Sequence, residues 1–221
     1  MFTEPFRLLD SYGDIKLEDS MPIFAALTQL FSGLGLSSAA GLNAYIPLLA
    51  VGILARAGVV HLEGPYALLA STAALTVIGI LAAIDFVADK VPAVDHATHA
   101  IGAIINPVAG AIVFGSQTHA IGHIPPAVAL GAGLIVAGGF HATRAAVRPV
   151  STVASGGIAN PIVSFVEDLT AIVLSLLAVF VPVAAFALFV VLVFVLYKSW
   201  GLVRKGVARL LGNKQTESAV P

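Results

Sequence analysis

Residues 160–197 read NPIVSFVEDLTAIVLSLLAVFVPVAAFALFVVLVFVLY, and the fold turns on how this stretch divides. A helix that crosses a bilayer needs roughly 20 mostly apolar residues. The charge-free part, 169–197, is too long for one untilted crossing and contains Pro182. With 160–168 added, it makes two spans joined tightly near that proline. Glu167 and Asp168 interrupt the first of them. A carboxylate at membrane depth is costly, so it normally faces a bundle interior, a partner cation or a water-filled path.

Working back along the chain, the same length criterion gives further spans. Residues 21–55 carry no charge, which exceeds one crossing. Gly33, Gly35, Ser37 and Ser38 are expected to break this run into a short or re-entrant piece and a full span near 39–57. Further spans are expected at 66–86, opened by Gly64-Pro65, and at 97–116, broken by Asn106-Pro107. Another lies at 126–144, where Gly131, Gly133, Gly138 and Gly139 allow close helix contact. The expectation is an all-α, polytopic transmembrane helical bundle of about six spans with broken or re-entrant segments. Five spans, with 161–181 as one broken segment, is the competing count.

Composition agrees. Apolar residues make up 58% of the 221 and charged residues 10%, against roughly 25% charged in soluble domains. Without cysteine there is neither a disulfide nor a thiolate metal site. Residues 1–20 read as a polar, mostly acidic tail, which is not the basic start of a secretory signal. Residues 21–203 form the membrane domain. Residues 204–221, with Arg204, Lys205, Arg209 and Lys214, form a basic tail. Basic flanks stay on the cytoplasmic side. The expected location is therefore the cytoplasmic (inner) membrane, with the C-terminus inside. Six crossings place the N-terminus inside as well. Lys90, Arg144 and Arg148 then fall on the inner side against Arg56 outside, in keeping with the positive-inside rule.

The polar residues inside this frame are the site candidates. Asp85 and Asp89 share a helix face, with Lys90 beside them and Asp95 beyond. Asp89 and Asp95 read as an ordinary solvated helix end closed by Pro92, and Asp85 less so. Glu167 and Asp168, being adjacent, point about 100° apart on a helix, so one can meet a base while the other faces water. Arg144 and Arg148, with His141 one turn earlier, are the natural counter-charges, since buried ions are usually paired. A relay and a purely structural lock between helices fit that pairing equally well. In GAIINPVAG and GGIANPIVS, Asn106 and Asn160 precede proline. Each pair suits a helix start, with asparagine capping and proline in the first turn.

Other signals are weaker. His119 and His123 have metal-chelating spacing, but QTHAIGHIPP reads as a loop, so no metal site and no cofactor is assigned. There is no phosphate loop, nucleophile elbow or dinucleotide fingerprint in a matching context, and no catalytic residue is assigned. The order GLNAY (41–45), DHAT (95–98), FHAT (140–143), GIANP (157–161) reads like a mirror, the pattern of inverted repeats in secondary transporters.

The stretches SAAGLNAYIPLLAVGILAR (38–56), DFVADKVPAVD (85–95), HATRAAVRP (141–149) and GGIANPIVSFVEDL (156–169) resemble a bacterial membrane protein family labelled domain of unknown function 4126. The likeness covers about 30–200 and implies a small polytopic bundle, with the NAY and ADKxP segments as hallmarks. It also implies a glutamate where this chain has Asp85, a lysine where it has Arg144, and an arginine where it has Asn106. The first two departures keep charge, and the third removes a cation. The family supplies no activity.

The leading functional expectation is a small transporter or channel-like protein for an ion or small polar solute. Asn43, Asn160, Glu167, Asp168 and Arg144 would form its polar centre, and Asp85 and Asp89 would guard the cytoplasmic mouth. A non-transporting scaffold or assembly factor is the alternative, and a membrane-embedded lipid-processing enzyme the third. Expected partners are membrane lipids and the solute, with no nucleic acid and a homo-oligomer left open.

Overall fold

The computed structural model describes residues 17–89, 92–118, 124–156 and 158–217, with side chains placed for 23–89, 100–118, 124–146, 148, 155, 156, 158–198 and 201. Every element among them is helical: α1 (Leu17–Leu42), α2 (Tyr45–Arg56), a 3-10 segment (Gly64–Ala70), α3 (Thr72–Ala88), α4 (Pro92–Thr118), α5 (Pro126–Ser155), α6 (Asn160–Phe180) and α7 (Pro182–Glu217). Lys90, His119, His123, the polar tail up to residue 16 and the last four residues lie outside the described residues. Asp95 is placed only as a backbone position in α4.

Two expected breaks are absent. α1 runs unbroken through Gly33, Gly35, Ser37 and Ser38. The backbone there needs no interruption, because small residues are what its neighbours require. A Cβ on Gly35 would meet the methyl groups of Ala178 and Ala185 at 3.0 Å each. Ser37 Oγ donates to Gly110 O at 2.9 Å, and Ser38 Oγ donates back to Leu34 O at 2.7 Å. The chain breaks instead at Asn43-Ala44, so the expected span at 39–57 is the end of α1 plus the short α2. α4 likewise continues through Pro107. Asn160-Pro161 does open α6, but Ala159 holds the cap position without a side-chain cap.

Other joints fall where the sequence puts them. Gly64 has φ +56, which favours glycine, and Pro65 opens the 3-10 segment. Ser71 Oγ accepts from Ala74 N–H and starts α3. α6 and α7 meet at Val181, next to Pro182, whose missing N–H costs nothing at a helix start.

Among the described residues, four helices are long and apolar enough to cross a membrane: Ile23–Leu42, Ala100–Thr118, Pro126–Ala146 and Asn160–Phe180. The 3-10 segment and α3, bent by 64°, make a fifth if taken as one span. The apolar start of α7, Pro182–Lys198, is a shorter candidate. Large apolar side chains face outward, among them Ile80 and Ile84 on α3, Ile135 on α5 and Phe194 on α7. Exposed apolar surface on this scale suits lipid rather than water.

Without a hydrophobic drive between helices in lipid, close packing and hydrogen bonds hold the bundle. The interior is built of small side chains around a few large ones: Ala39, Ala40, Ala137, Ala171 and Ala178 with Leu36, Val51, Val113 and Leu174. Of the glycines expected at contacts, Gly133 packs tightly on α4 and Gly138 lies in ordinary contact with Pro107, whereas Gly131 and Gly139 face open space. Phe31 of α1 stacks on Phe186 of α7 at 4.3 Å. α3 stands apart, with no buried residue along its length.

Candidate functional site

The C-terminal ends of α1, α3 and α5 converge on the N-terminal halves of α4 and α6, and the polar side chains gather there. α6 sets the floor. Its buried stripe runs Asn160, Ser164, Asp168, Ala171, Leu174, Ser175 and Ala178. These steps of three and four residues keep one face inward. Ser164 and Asp168 are thus presented to the ends of α1 and α3, while Glu167 turns toward α5.

Arg144 and Arg148, one turn apart on α5, meet the acids directly. Arg144 Nη2 lies 2.7 Å from Asp89 Oδ2, and Arg144 Nε lies 2.8 Å from Glu167 Oε2. Arg148 Nη2 reaches the same Glu167 oxygen at 2.8 Å and Asp89 Oδ2 at 3.5 Å. Arg144 Nη1 also donates a short hydrogen bond to Leu42 O, so it closes the carbonyl end of α1. A cation is favoured there by the helix dipole. Ser164 Oγ donates to Asp89 Oδ2 at 3.3 Å. Asp89 is 4% exposed, so the expectation of a solvated helix end fails for it. The cause is the arginine pair, which draws the end of α3 into the bundle.

Asn43 organises the second half. Its Oδ1 accepts from the N–H groups of Tyr45 at 3.0 Å and Ile46 at 3.4 Å, capping α2. That fixes the amide orientation and points Nδ2 at two carboxylates, Asp168 Oδ1 at 3.0 Å and Asp85 Oδ2 at 3.2 Å. Asp168 therefore meets a neutral amide in the interior. Its neighbour Glu167 meets both arginines.

Asn106 and His141 form a third link. Asn106 Nδ2 donates to Gly41 O at 3.2 Å and faces His141 Nδ1 at 3.1 Å. Because the same NH2 group already serves a carbonyl, Nδ1 is the acceptor and the ring proton sits on Nε2. Through Nδ1, His141 therefore pairs with an amide. Asn106 lies inside α4 and caps nothing.

Among the described side chains, four carboxylates (Asp85, Asp89, Glu167, Asp168) stand against two guanidinium groups. Two of these acids pair with the arginines and the other two bond the Asn43 amide. The cluster sits toward one end of the bundle. Glu167 is only seven residues into α6, about 10 Å along its axis, against a hydrocarbon thickness of about 30 Å.

Two separate cavities reach this cluster. One, of about 210 Å³, is lined by Tyr45, Leu81, Asp85, Gly102 and Asn106 among others. The other, of about 260 Å³, is lined by Arg144, Arg148, Glu167 and Thr170 with apolar neighbours. Among the described residues, none lines both. Asn43, Asp89 and Asp168 lie between the two sets of lining charges, buried.

The structure brings Asn43, Asp85, Asp89, Arg144, Arg148, Glu167 and Asp168 into one cluster, as two bonded groups that adjoin at the end of α1. Asn106 and His141 adjoin it through Gly41, two residues before Asn43. Asn160 is buried on the same face of α6 as Ser164 and Asp168. Sequence reasoning missed Ser164 and the carbonyls of Gly41 and Leu42. The spacing of Ser164, four residues before Asp168, was the available signal for the first. Backbone acceptors at a helix end leave no mark in composition.

A family model described as Domain of unknown function (DUF4126) matches residues 30–201. No curated protein and no solved structure matches the chain.

Proposed function

The chain belongs to the DUF4126 family, whose name assigns no activity, and from the geometry of the site we propose that it is a small membrane transporter or channel-like protein for an ion or small polar solute. The observation that carries this reading is the pair of cavities meeting one buried charged cluster from two sides. Each has room for several waters at about 30 Å³ apiece. The two carboxylates that share the Asn43 amide favour a cation or proton as the species handled there, since acids beside a path select for positive charge. Asp85 lines the first cavity and bonds Asn43, which bonds Asp168. Asp89, Arg144 and Glu167 continue toward the second.

The test is flux across liposomes holding the purified full chain, with a panel of monovalent ions, protons and small polar solutes. Asp85→Asn and Asp168→Asn are expected to keep the fold, by thermal melting in detergent, and to lose at least tenfold in flux. Wild-type vesicles no leakier than empty ones to the whole panel would sink the proposal.

A second reading, a scaffold or assembly factor, draws on the density of ion pairs around Arg144, which is what a lock between α1, α3, α5 and α6 needs. Stable co-purification with one partner, with no flux, favours it.

The orientation that goes with the transport reading puts the cluster end at the cytoplasmic face, because Arg144, Arg148 and the basic end of the chain lie toward it. With α1 a single helix ending at the cluster, its start then lies at the outer face. That differs from the inside N-terminus that six spans would give. The chain has no native cysteine. An impermeant maleimide on intact cells should therefore label His61→Cys and spare Ile158→Cys.

A further inference from the structure

The cavity of about 210 Å³ takes its walls from α3, α4 and the start of α2, and most of them are hydrocarbon, from Leu81, Ile84, Ile101 and Ile105. Three polar residues interrupt that lining: Tyr45, Asp85 and Asn106. Each offers an oxygen with no donor among the described residues. Asp85 accepts from Asn43 through Oδ2, which leaves Oδ1. Asn106 is only 5% exposed, and its NH2 group serves Gly41 O and His141 Nδ1. Those bonds fix the amide and leave its Oδ1 over. That oxygen stands 3.5 Å from where a Cβ on Gly102 would lie, and Gly102 lines the same cavity. Tyr45 is engaged through its backbone N–H alone, so its hydroxyl is the third.

An acceptor that is buried and unmet is costly, so these oxygens call for a donor inside the cavity. The carboxylate selects positive charge. A hard metal ion that sheds its water needs about six oxygens or more, and this wall supplies three among hydrocarbon. Nor does any group of three His, Asp or Glu side chains among the described residues form a metal site. A primary ammonium carries three N–H donors and no acceptor, one for each oxygen. Its carbon chain then covers apolar wall that water would leave unsatisfied. The space equals about seven waters at about 30 Å³ each and falls below the usual 300–1,000 Å³ of small-molecule sites, so the chain is short.

We propose that this cavity binds a small primary alkylammonium ion, its N–H groups donating to Asp85 Oδ1, Asn106 Oδ1 and the Tyr45 hydroxyl and its chain lying against Leu81, Ile84, Ile101 and Ile105. As the cation that the protein carries, this ion rests on the transport reading and names the class of its solute. As a bound ion it is measured without flux, so the two readings fail separately. A quaternary ammonium has the charge but no N–H to give, and an alkali ion has neither the donors nor the carbon chain. Both are excluded by the same lining.

Isothermal titration calorimetry of the detergent-purified full chain tests it, at neutral pH and constant ionic strength, with the chlorides of methylammonium, ethylammonium, propylammonium, tetramethylammonium and potassium. The three primary amines should bind saturably, each added methylene tightening Kd about fourfold. Tetramethylammonium and potassium should give no saturable heat. Tyr45→Phe keeps the ring and the backbone N–H that meets Asn43, and should weaken propylammonium about tenfold, the worth of one hydrogen bond to a charged group. Asp85→Asn keeps the shape without the charge and should weaken it at least tenfold. Potassium or tetramethylammonium binding as tightly as propylammonium, a Kd indifferent to chain length, or propylammonium binding unchanged in Asp85→Asn overturns the proposal. Proton or alkali-ion flux in vesicles without amine binding overturns it too, while leaving transport standing. Amine binding in a chain that moves nothing keeps the bound ion and removes the carriage.

Discussion

α4 and α5 meet in two different ways within one pair of helices. Near Gly110, Gly133 and Ala137 they touch almost backbone to backbone: a Cβ on Gly110 would collide with the Ala137 methyl and stand 2.8 Å from Gly133 O. Some two turns further along α5, at His141, Arg144 and Arg148, long polar side chains take over the contacts. The seam of small residues has one solution, because only glycine and alanine fit. The charged end has room, two cavities and several partners for each group. Rigidity is placed in the first region and chemistry in the second, and substitutions should separate them.

The largest effect is expected from Gly110→Leu. Overpacking typically costs about 1–3 kcal/mol and more where nothing can shift, and here the obstacles are a backbone carbonyl and a helix-bound methyl. No monodisperse folded species is expected by size-exclusion chromatography in mild detergent. If Gly110→Leu purifies and melts like wild type, the seam is not the rigid element and the contrast fails.

Arg144→Met comes next. It leaves the carboxylates of Asp89 and Glu167 with one guanidinium and removes the donor to Leu42 O. Breaking a buried ion pair from one side costs about 3–5 kcal/mol. The upper end is not expected, because Arg148 still reaches both acids. A clear drop in melting temperature, partly restored in the double variant Arg144→Met/Asp89→Leu, is the expected thermal-shift result. No restoration would mean that the pairs act independently.

Asn43→Ala separates structure from charge at the junction. It removes the cap on α2, worth about 0.5–2 kcal/mol, and leaves Asp85 and Asp168 without the amide that bridges them. A moderate loss of thermal stability is expected, about 2 kcal/mol when an unmet buried acceptor is added to the cap. Asn43→Ser, which can still cap but cannot bridge two carboxylates, should recover only part of it.

These contrasts also mark what the chain discloses by itself. The spans at α4, α5 and α6 were legible because each is an apolar run of bilayer length. That Arg144 and Arg148 meet one of the adjacent acids, Glu167 or Asp168, was legible because buried charge demands a partner, but the sequence did not say which. α1 was misread at Gly33 to Ser38, since the same small residues signal a break in a loop and a contact in a bundle. Only the neighbours, here Ala178, Ala185 and Gly110, decide between the two. Asp89 was misread for a related reason: its position at a helix end suggests water, and the arginine that overrules this lies 55 residues away. Asn43 was picked out, but its role as a cap that bridges two acids depends on α1 and α2 meeting at its own peptide, which no spacing rule encodes.

The smallest effect is expected at Gly79, and it tests whether glycine matters for contact or merely for its own sake. Gly79 lies in α3, where a Cβ would meet nothing within 4 Å and no residue is buried. Gly79→Ala removes the backbone-entropy cost of a helical glycine, about 0.5–1 kcal/mol, and asks no neighbour to move. The melting temperature should stay level or rise slightly, with flux unchanged. α3 touches the charged network through Asp85 and the Asp89 that follows it. A stiffer α3 that lowered flux would show that this helix must bend for the site to work. The division between a rigid seam and a chemical end would then need a third, moving part.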